Sequence, residues 1–253
     1  MRFSCAKIVR VWPLLILLIL CAVNAAGVDS PASSEARKAD EIIKKHIEAV
    51  GGMKNIKALK TLVAKGLLGQ GAVELPFTVT MKRPNKSRVD VGPMGQVAVV
   101  GHNGKTVWWM NRLLGINERT EMPGEYAKAV LRWTDFESPL VDYEKKGHRV
   151  EYEGEEKTES GILHKIKLTL SGGDVWRLYI DGKTFLETKR TFQQEYGGQS
   201  KEVTTWFRGY TLVNGVKVYR VIEGEGLDGT PYTMTFISFE ANTPVDDSRF
   251  EKP

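Results

Sequence analysis

Alternation of apolar and polar residues runs through most of the chain after position 60. Val73, Leu75, Phe77, Val79 and Met81 alternate with Glu74, Pro76, Thr78, Thr80 and Lys82, the period of a strand with one apolar face. The same period carries Arg83 onto that apolar face, where a guanidinium is costly to bury without partners. Further strands are predicted at 61–70, 96–101, 105–110, 162–170, 176–180, 186–196, 203–210, 216–223 and 232–239. Asn103-Gly104, Asp181-Gly182 and Asn214-Gly215 supply tight-turn signals between them, because Asn and Gly accept the positive φ of a type I′ turn.

Helical spacing is confined to a few places. Ala39, Ile43, Ile47 and Val50 form one stripe over 35–50, stopped by Gly51-Gly52, and a short turn follows at 55–59. Pro123 opens a second amphipathic helix carrying Tyr126, Ala129, Val130 and Trp133. Positions 111–122 read as a loop with Leu113, Leu114 and Ile116, and Glu151, Glu153, Glu155, Glu156 and Glu159 mark a solvated hairpin. The sum is a mainly β (α+β) chain: a single curled antiparallel sheet forming a half-open barrel, with helices as lid. Trp108 and Trp109 are consecutive on one strand, so their rings point to opposite faces and both faces need cover.

The N-terminus refines this picture. Arg2, Lys7 and Arg10, an apolar run from Leu14 to Leu20, and small residues around Val23-Asn24-Ala25 have the layout of a secretory signal peptide cleaved after Ala25. An uncleaved anchor would need a longer apolar run, and lipid attachment at Cys21 would need a small side chain where Leu20 stands. The expected organisation is a leader over 1–25, a short flexible tail over 26–34, and one domain over 35–253. Both cysteines, Cys5 and Cys21, fall in the leader, so the mature chain must be held by its core without disulfides. The leader also holds three positive charges and no acid, and its removal lowers the net charge from +5 to +2, which argues against nucleic acid as a partner.

Chemistry-bearing patterns are scarce. No phosphate loop or nucleophile elbow is present, and His46, His102, His148 and His164 fall in unrelated elements. No catalytic residue, metal or cofactor is expected.

At Lys82-Arg83-Pro84-Asn85, and some twenty positions later at Gly104-Lys105-Thr106-Val107-Trp108-Trp109-Met110-Asn111, the chain resembles the periplasmic lipoprotein-carrier family of Gram-negative bacteria, the Lol-type carriers and their lipoprotein-sorting relatives. The resemblance is specific over about 35–111 and weak after Pro139, and Arg112 stands where the carriers have Pro. It implies an incomplete barrel whose apolar interior holds acyl chains under a helical lid, with Arg83 as the lid latch through backbone carbonyls. The expected cavity then comprises Val73, Leu75, Phe77, Val79 and Met81, one of Trp108 or Trp109, and Trp133 from the lid.

The function expected from that resemblance is a non-enzymatic periplasmic carrier that shields acyl chains during transfer towards the outer membrane. Its partners would be the acyl chains of a lipoprotein or another lipid, an inner-membrane transporter and an outer-membrane acceptor, with the chain as a monomer. Alternatives stay open. The apolar strand positions also fit a packed core, as in an envelope scaffold without cargo, and Arg83 also fits a rim salt bridge to Asp90 or Glu74. Leu113-Leu114 fits both a membrane-touching loop and packing against the sheet. A hydrolase using carboxylates such as Asp90 and Glu118 has no spacing to support it.

Overall fold

The computed structural model describes residues 31–196, 198–226 and 229–252; the leader and cleavage point expected from the sequence lie outside them. Helices α1 (Pro31–Ala49) and α2 (Gly52–Ala58) precede strands β1 (Thr61–Gln70), β2 (Val73–Lys82), β3 (Lys86–Val91), β4 (Ala98–His102), β5 (Val107–Asn111) and β6 (Ile116–Glu121). Helix α3 (Gly124–Leu131) and an irregular stretch then lead to β7 (Arg149–Thr158), β8 (Gly161–Thr169), β9 (Val175–Asp181), β10 (Glu187–Tyr196) and β11 (Gln199–Arg208). The chain closes with β12 (Thr211–Val213), β13 (Val216–Val218), β14 (Val221–Glu225) and β15 (Pro231–Ala241).

Thirteen strands make one antiparallel sheet in the order β6-β5-β4-β3-β2-β1-β15-β14-β11-β10-β9-β8-β7, and β12-β13 form a separate hairpin. The last strand, β15, pairs with the first, β1, and so joins the two halves of the chain. Strands β6 and β7 are the two edges and do not pair with each other, which leaves the curled sheet unclosed.

One face is continuous across the join. Leu75 lies opposite Leu68, Leu68 opposite Met234, Met234 opposite Ile222, and Ile222 opposite Phe207. Further along, Val203 pairs with Phe192, Phe192 with Trp176, and Trp176 with Leu168, all on that face. Helix α1 packs Ala39, Ile42 and Ile43 onto this second group. The outer face of β2–β5 is covered by the chain after β15: Lys82 pairs with Asp247, Arg88 with Asp90, Arg249 with Asp90, and the Trp108 indole N–H donates to the Phe250 carbonyl at 2.8 Å.

Several local expectations are corrected. Helix α1 starts at Pro31, so residues 31–34 are helical and not a loose tail; proline's fixed φ suits a first helical turn. Its buried stripe also includes Ile42 and His46. Positions 111–122 hold a 3₁₀ turn (Arg112–Leu114) and edge strand β6, whose sequence Ile-Asn-Glu-Arg-Thr-Glu lacks the alternation that would betray a strand. The Asn103-Gly104 connection is not a two-residue type I′ turn: four residues separate β4 from β5, and the Asn103 side-chain oxygen accepts from the Lys105 and Thr106 amides. Asn214-Gly215, with φ of 47° and 81°, does join β12 to β13 as a two-residue turn. The strand expected over 216–223 breaks between Val218 and Val221, because β13 leaves the main sheet.

Candidate functional site

Lys82 ends β2, and Arg83 follows in the turn to β3. Its Nε donates to the Leu59 carbonyl at 2.6 Å and one Nη to the Ile56 carbonyl at 2.7 Å, both at the C-terminal end of α2. Helix ends leave carbonyls without intrahelical partners and carry partial negative charge, so a guanidinium there meets two needs at once. The same Nη lies 2.7 Å from Glu137 Oε2, and the Arg83 Cζ sits 4.9 Å from the Phe136 ring centroid. Neither acid considered as a rim partner is involved. Asp90 is buried on the outer face with Arg88 and Arg249, and Glu74 is exposed near the other end of β2.

Around Glu137 the charges form a closed group. Lys57 lies 2.6 Å from Glu137 and 2.8 Å from Asp142, and Lys145 lies 3.0 Å from Asp142. Burial raises the Glu137 pKa, but Lys57 and Arg83 more than offset it, so the carboxyl stays below its usual range. Hydrogen bonds from Lys57 and Lys145 hold Asp142 lower still, at about 2. This cluster binds α2, the turn after β2 and the stretch after α3 to one another.

The apolar residues expected to line a cavity divide in the structure. Phe77 is fully buried, edge-on to Phe236 at 5.1 Å, in a core with Ala64, Phe207 and Ile222. Leu75, Val79 and Met81 are half-buried on the same face, whereas Val73 is 57% exposed at the strand's start. Trp108 and Trp109 do point to opposite faces. Trp109 pairs with Val100 on the inner face and is half-buried; Trp108 is on the outer face, buried beneath Phe250, and lines no inner cavity. Val89, Val91, Ala98 and Val100 extend the half-buried apolar surface across β3 and β4.

Helix α3 crosses this surface. Tyr126 stacks on Trp109 with centroids 5.4 Å apart, Lys128 pairs with Asp174 in the β8–β9 turn at 2.9 Å, and an Arg132 Nη donates to the Gln193 carbonyl of β10 at 3.1 Å. The helix therefore spans from the β5 side to the β9–β10 side of the inner face. Trp133, just beyond it, packs against Phe207, 6.4 Å between centroids.

Sequence reasoning missed the polar centre of the inner face. Arg190 and Glu187 form a two-pronged pair at 2.8 and 2.9 Å, both buried, with the guanidinium 4.8 Å from the Trp176 ring and 5.3 Å from that of Phe207. The signal existed: Arg190 has the parity of buried Phe192, as Arg83 has that of Met81. Glu137 and Phe136, by contrast, carried no signal, because only the path of the irregular stretch brings them to Arg83. His46 is buried against the Phe185 carbonyl at 2.8 Å, and burial lowers its pKa. Glu118 is exposed on β6, whereas Asp90 is buried in its ion pairs, and among the described residues no group of three His, Cys, Asp or Glu could hold a metal ion.

Among the described residues no helix is long and apolar enough to cross a membrane. No family model and no curated protein matches the sequence. Solved structures do match. A DUF1329 family protein from Desulfovibrio piger superposes with a TM-score of 0.58 at 10% identity, over 84% of this chain and 97% of that one. A LolA superfamily protein from Nitrosomonas europaea gives 0.55 at 13% identity, over 85% and 97%. An outer membrane lipoprotein-sorting protein domain from Vibrio parahaemolyticus gives 0.58 at 12% identity, over 86% and 97%. At such identities the likeness is one of architecture, and it agrees with the unclosed antiparallel sheet and its crossing helices: the protein shares the fold of these structures.

Proposed function

We propose that the protein is a periplasmic lipid carrier without enzymatic activity, which shields an acyl chain against the inner face of β1–β5 beneath α3 during transfer towards the outer membrane. The observation that carries this reading is the row of half-buried apolar side chains there, Leu75, Val79, Met81, Val89, Val91, Val100 and Trp109, on a face whose Ile166, Leu168, Leu178 and Ile180 are completely buried in the other half. Leaving such a surface half-wet is unfavourable for the empty protein and is relieved by an apolar ligand. An acyl chain of sixteen carbons gains about 12 kcal/mol on leaving water, at about 0.8 kcal/mol per methylene, so its transfer from a bilayer to an apolar surface is near neutral.

Direction and timing then rest on the lid. Helix α3 has eight residues, and its fastenings include the Tyr126–Trp109 stack, the exposed Lys128–Asp174 ion pair and, from Arg132 at its end, a hydrogen bond to the Gln193 carbonyl, a 3.8 Å approach to Asp174 and a guanidinium 4.7 Å from the Phe192 ring. Contacts of this kind are worth about 0.5–1.5 kcal/mol each, a scale that thermal motion or a docking partner can overcome. Arg83 acts as the latch at the base of the lid segment: its two bonds to α2 carbonyls, about 1.5–3 kcal/mol each, seat the guanidinium, and its ion pair with Glu137 keeps the stretch after α3 in place while α3 moves. Phospholipid or the acylated terminus of a lipoprotein is the cargo, and membrane proteins that donate and accept it are the partners.

Gentle purification followed by mass spectrometry of bound lipid tests the proposal, together with displacement of a fluorescent acyl probe. Co-purifying lipid and a saturable, displaceable probe signal are expected. A preparation showing neither would favour the second reading, an envelope scaffold, which the fully packed inner face of β8–β11 supports.

A further inference from the structure

Within the β1–β6 half, the connections of the sheet gather at two ends of unlike chemistry. At the Arg83 end lie the 83–85 and 103–106 turns, with Lys82, Lys86 and Asp247 paired across them. At the opposite end the turns at 70–73, 92–97 and 111–116 stand side by side, as the pairings Phe77 with Val91, Val91 with Ala98 and Ala98 with Asn111 require. The Arg112 amide donates to the Val97 carbonyl at 3.0 Å and ties two of these turns together.

Four large apolar side chains are displayed there: Met94 is 90% exposed, Leu113 76%, Leu114 62% and Val73 57%. Met94 is held at φ 51°, ψ 29°, a left-handed conformation unfavourable for a residue with a side chain, so its outward display is not a relaxed default. Among the sixteen residues of the three turns, Arg112 alone is charged. Folded-in packing of Leu113-Leu114 against the sheet is thus not what the structure adopts. From Val73 an apolar row of the same parity, Leu75, Phe77, Val79 and Met81, runs down β2 into the half-buried inner face.

We infer that this end docks on a bilayer containing anionic phospholipid, with Met94, Leu113 and Leu114 inserted among the acyl chains and Arg112 at the headgroups. The assignment rests on the carrier reading. Protruding apolar tips beside a single cation suit a fluid apolar layer under a negative surface, and the Val73 row gives an acyl chain a dry route from that layer to the inner face. The charged, latched end faces away from the membrane.

Flotation with vesicles of phosphatidylethanolamine and phosphatidylglycerol tests this, using the full mature chain. The wild type is expected to float with the vesicles. Combined Met94→Glu, Leu113→Glu and Leu114→Glu substitutions should weaken partitioning by about a hundredfold or more, since burying each such side chain is worth about tenfold. Arg112→Glu should weaken it by about tenfold with phosphatidylglycerol present and not at all with phosphatidylethanolamine alone. Melting curves and acyl-probe binding in solution should be unchanged, because these side chains lie outside the inner face; single substitutions repeat the test if the triple variant melts early. Equal flotation of wild type and variants, or none by the wild type, overturns the inference. So does a wild-type dimer that the triple variant converts to a monomer without any vesicle binding, which would make the patch a contact between copies. Vesicle binding by a wild type that takes up no acyl probe would instead refute the carrier reading and leave the docking surface in place.

Discussion

On the β8–β11 half of the inner face, Ile166, Leu168, Leu178 and Ile180 are completely buried, whereas on the β2–β5 half the residues in equivalent inward positions, Val79, Val89, Val100 and Trp109, stay half-buried. The sheet is one and the same; the helices above it differ. Helix α1 is nineteen residues long and lays Ala39, Ile42, Ile43 and His46 along one seam, at the i, i+3, i+4, i+7 spacing that seals a surface. Helix α3 has eight residues, and its Ala127, Ala129 and Val130 are themselves half-exposed, so it roofs its half without filling it. A continuous sheet can thus be sealed core at one end and half-covered apolar surface at the other, according to the length and stripe of the helix laid on it.

The largest expected effect tests the sealed half. Leu178→Ala should destabilise the fold by about 2–5 kcal/mol by leaving a cavity, while Val89→Ala on the open half should lose less than about 1 kcal/mol. Urea denaturation measures both, and equal losses would erase the contrast between the halves.

Next in size is Arg83→Leu, which strands two helix-end carbonyls and leaves Glu137 to Lys57 and Lys146. A loss of about 2–4 kcal/mol is expected, with faster acyl-probe exchange. Unchanged exchange despite the lost stability would reduce Arg83 to a structural anchor.

Acid should act on the α1 seam. His46 is neutral in the fold, its folded pKa lying below the ordinary value of 6.5, so the unfolded chain takes up the extra proton first. The seam's stability is therefore complete above about pH 6.5 and falls as the pH drops below it, and His46→Gln should flatten that slope between about pH 7 and 5 in thermal melts. Glu137 and Asp142 follow the carboxylate rule with the same direction at lower pH: their contribution is full above their ordinary values and is lost as pH falls through the folded ones, about 2 for Asp142.

The smallest effect on stability, yet the most direct on the lid, belongs to Tyr126→Ala. Losing the stack on Trp109 should lower stability by about 1 kcal/mol and speed probe exchange several-fold. Exchange as slow as in the wild type would mean that α3 is not the moving part.

How far each feature could be read in advance follows from where its information resides. Period-two alternation determined most of the strands, the inward parity of β2 and the opposed faces of Trp108 and Trp109, because side-chain direction along a strand depends only on local geometry. The apolar stripe over 35–50 likewise announced α1, and the two short motifs around Arg83 and Trp108-Trp109 led to the architecture that the solved structures share. Strand β6 escaped, since an edge strand exposed on both faces needs no alternation.

Other features belong to the tertiary structure alone. Which Trp lies under the C-terminal strap, which acid meets Arg83, and which half of the inner face is sealed depend on where β15, the stretch after α3 and α1 come to lie. Those positions arise from contacts between residues far apart in the chain, such as Arg83 with Glu137 and Trp108 with Phe250, and no local periodicity encodes them. The sequence set the direction of each side chain from its own strand; only the folded chain decided what would stand opposite it.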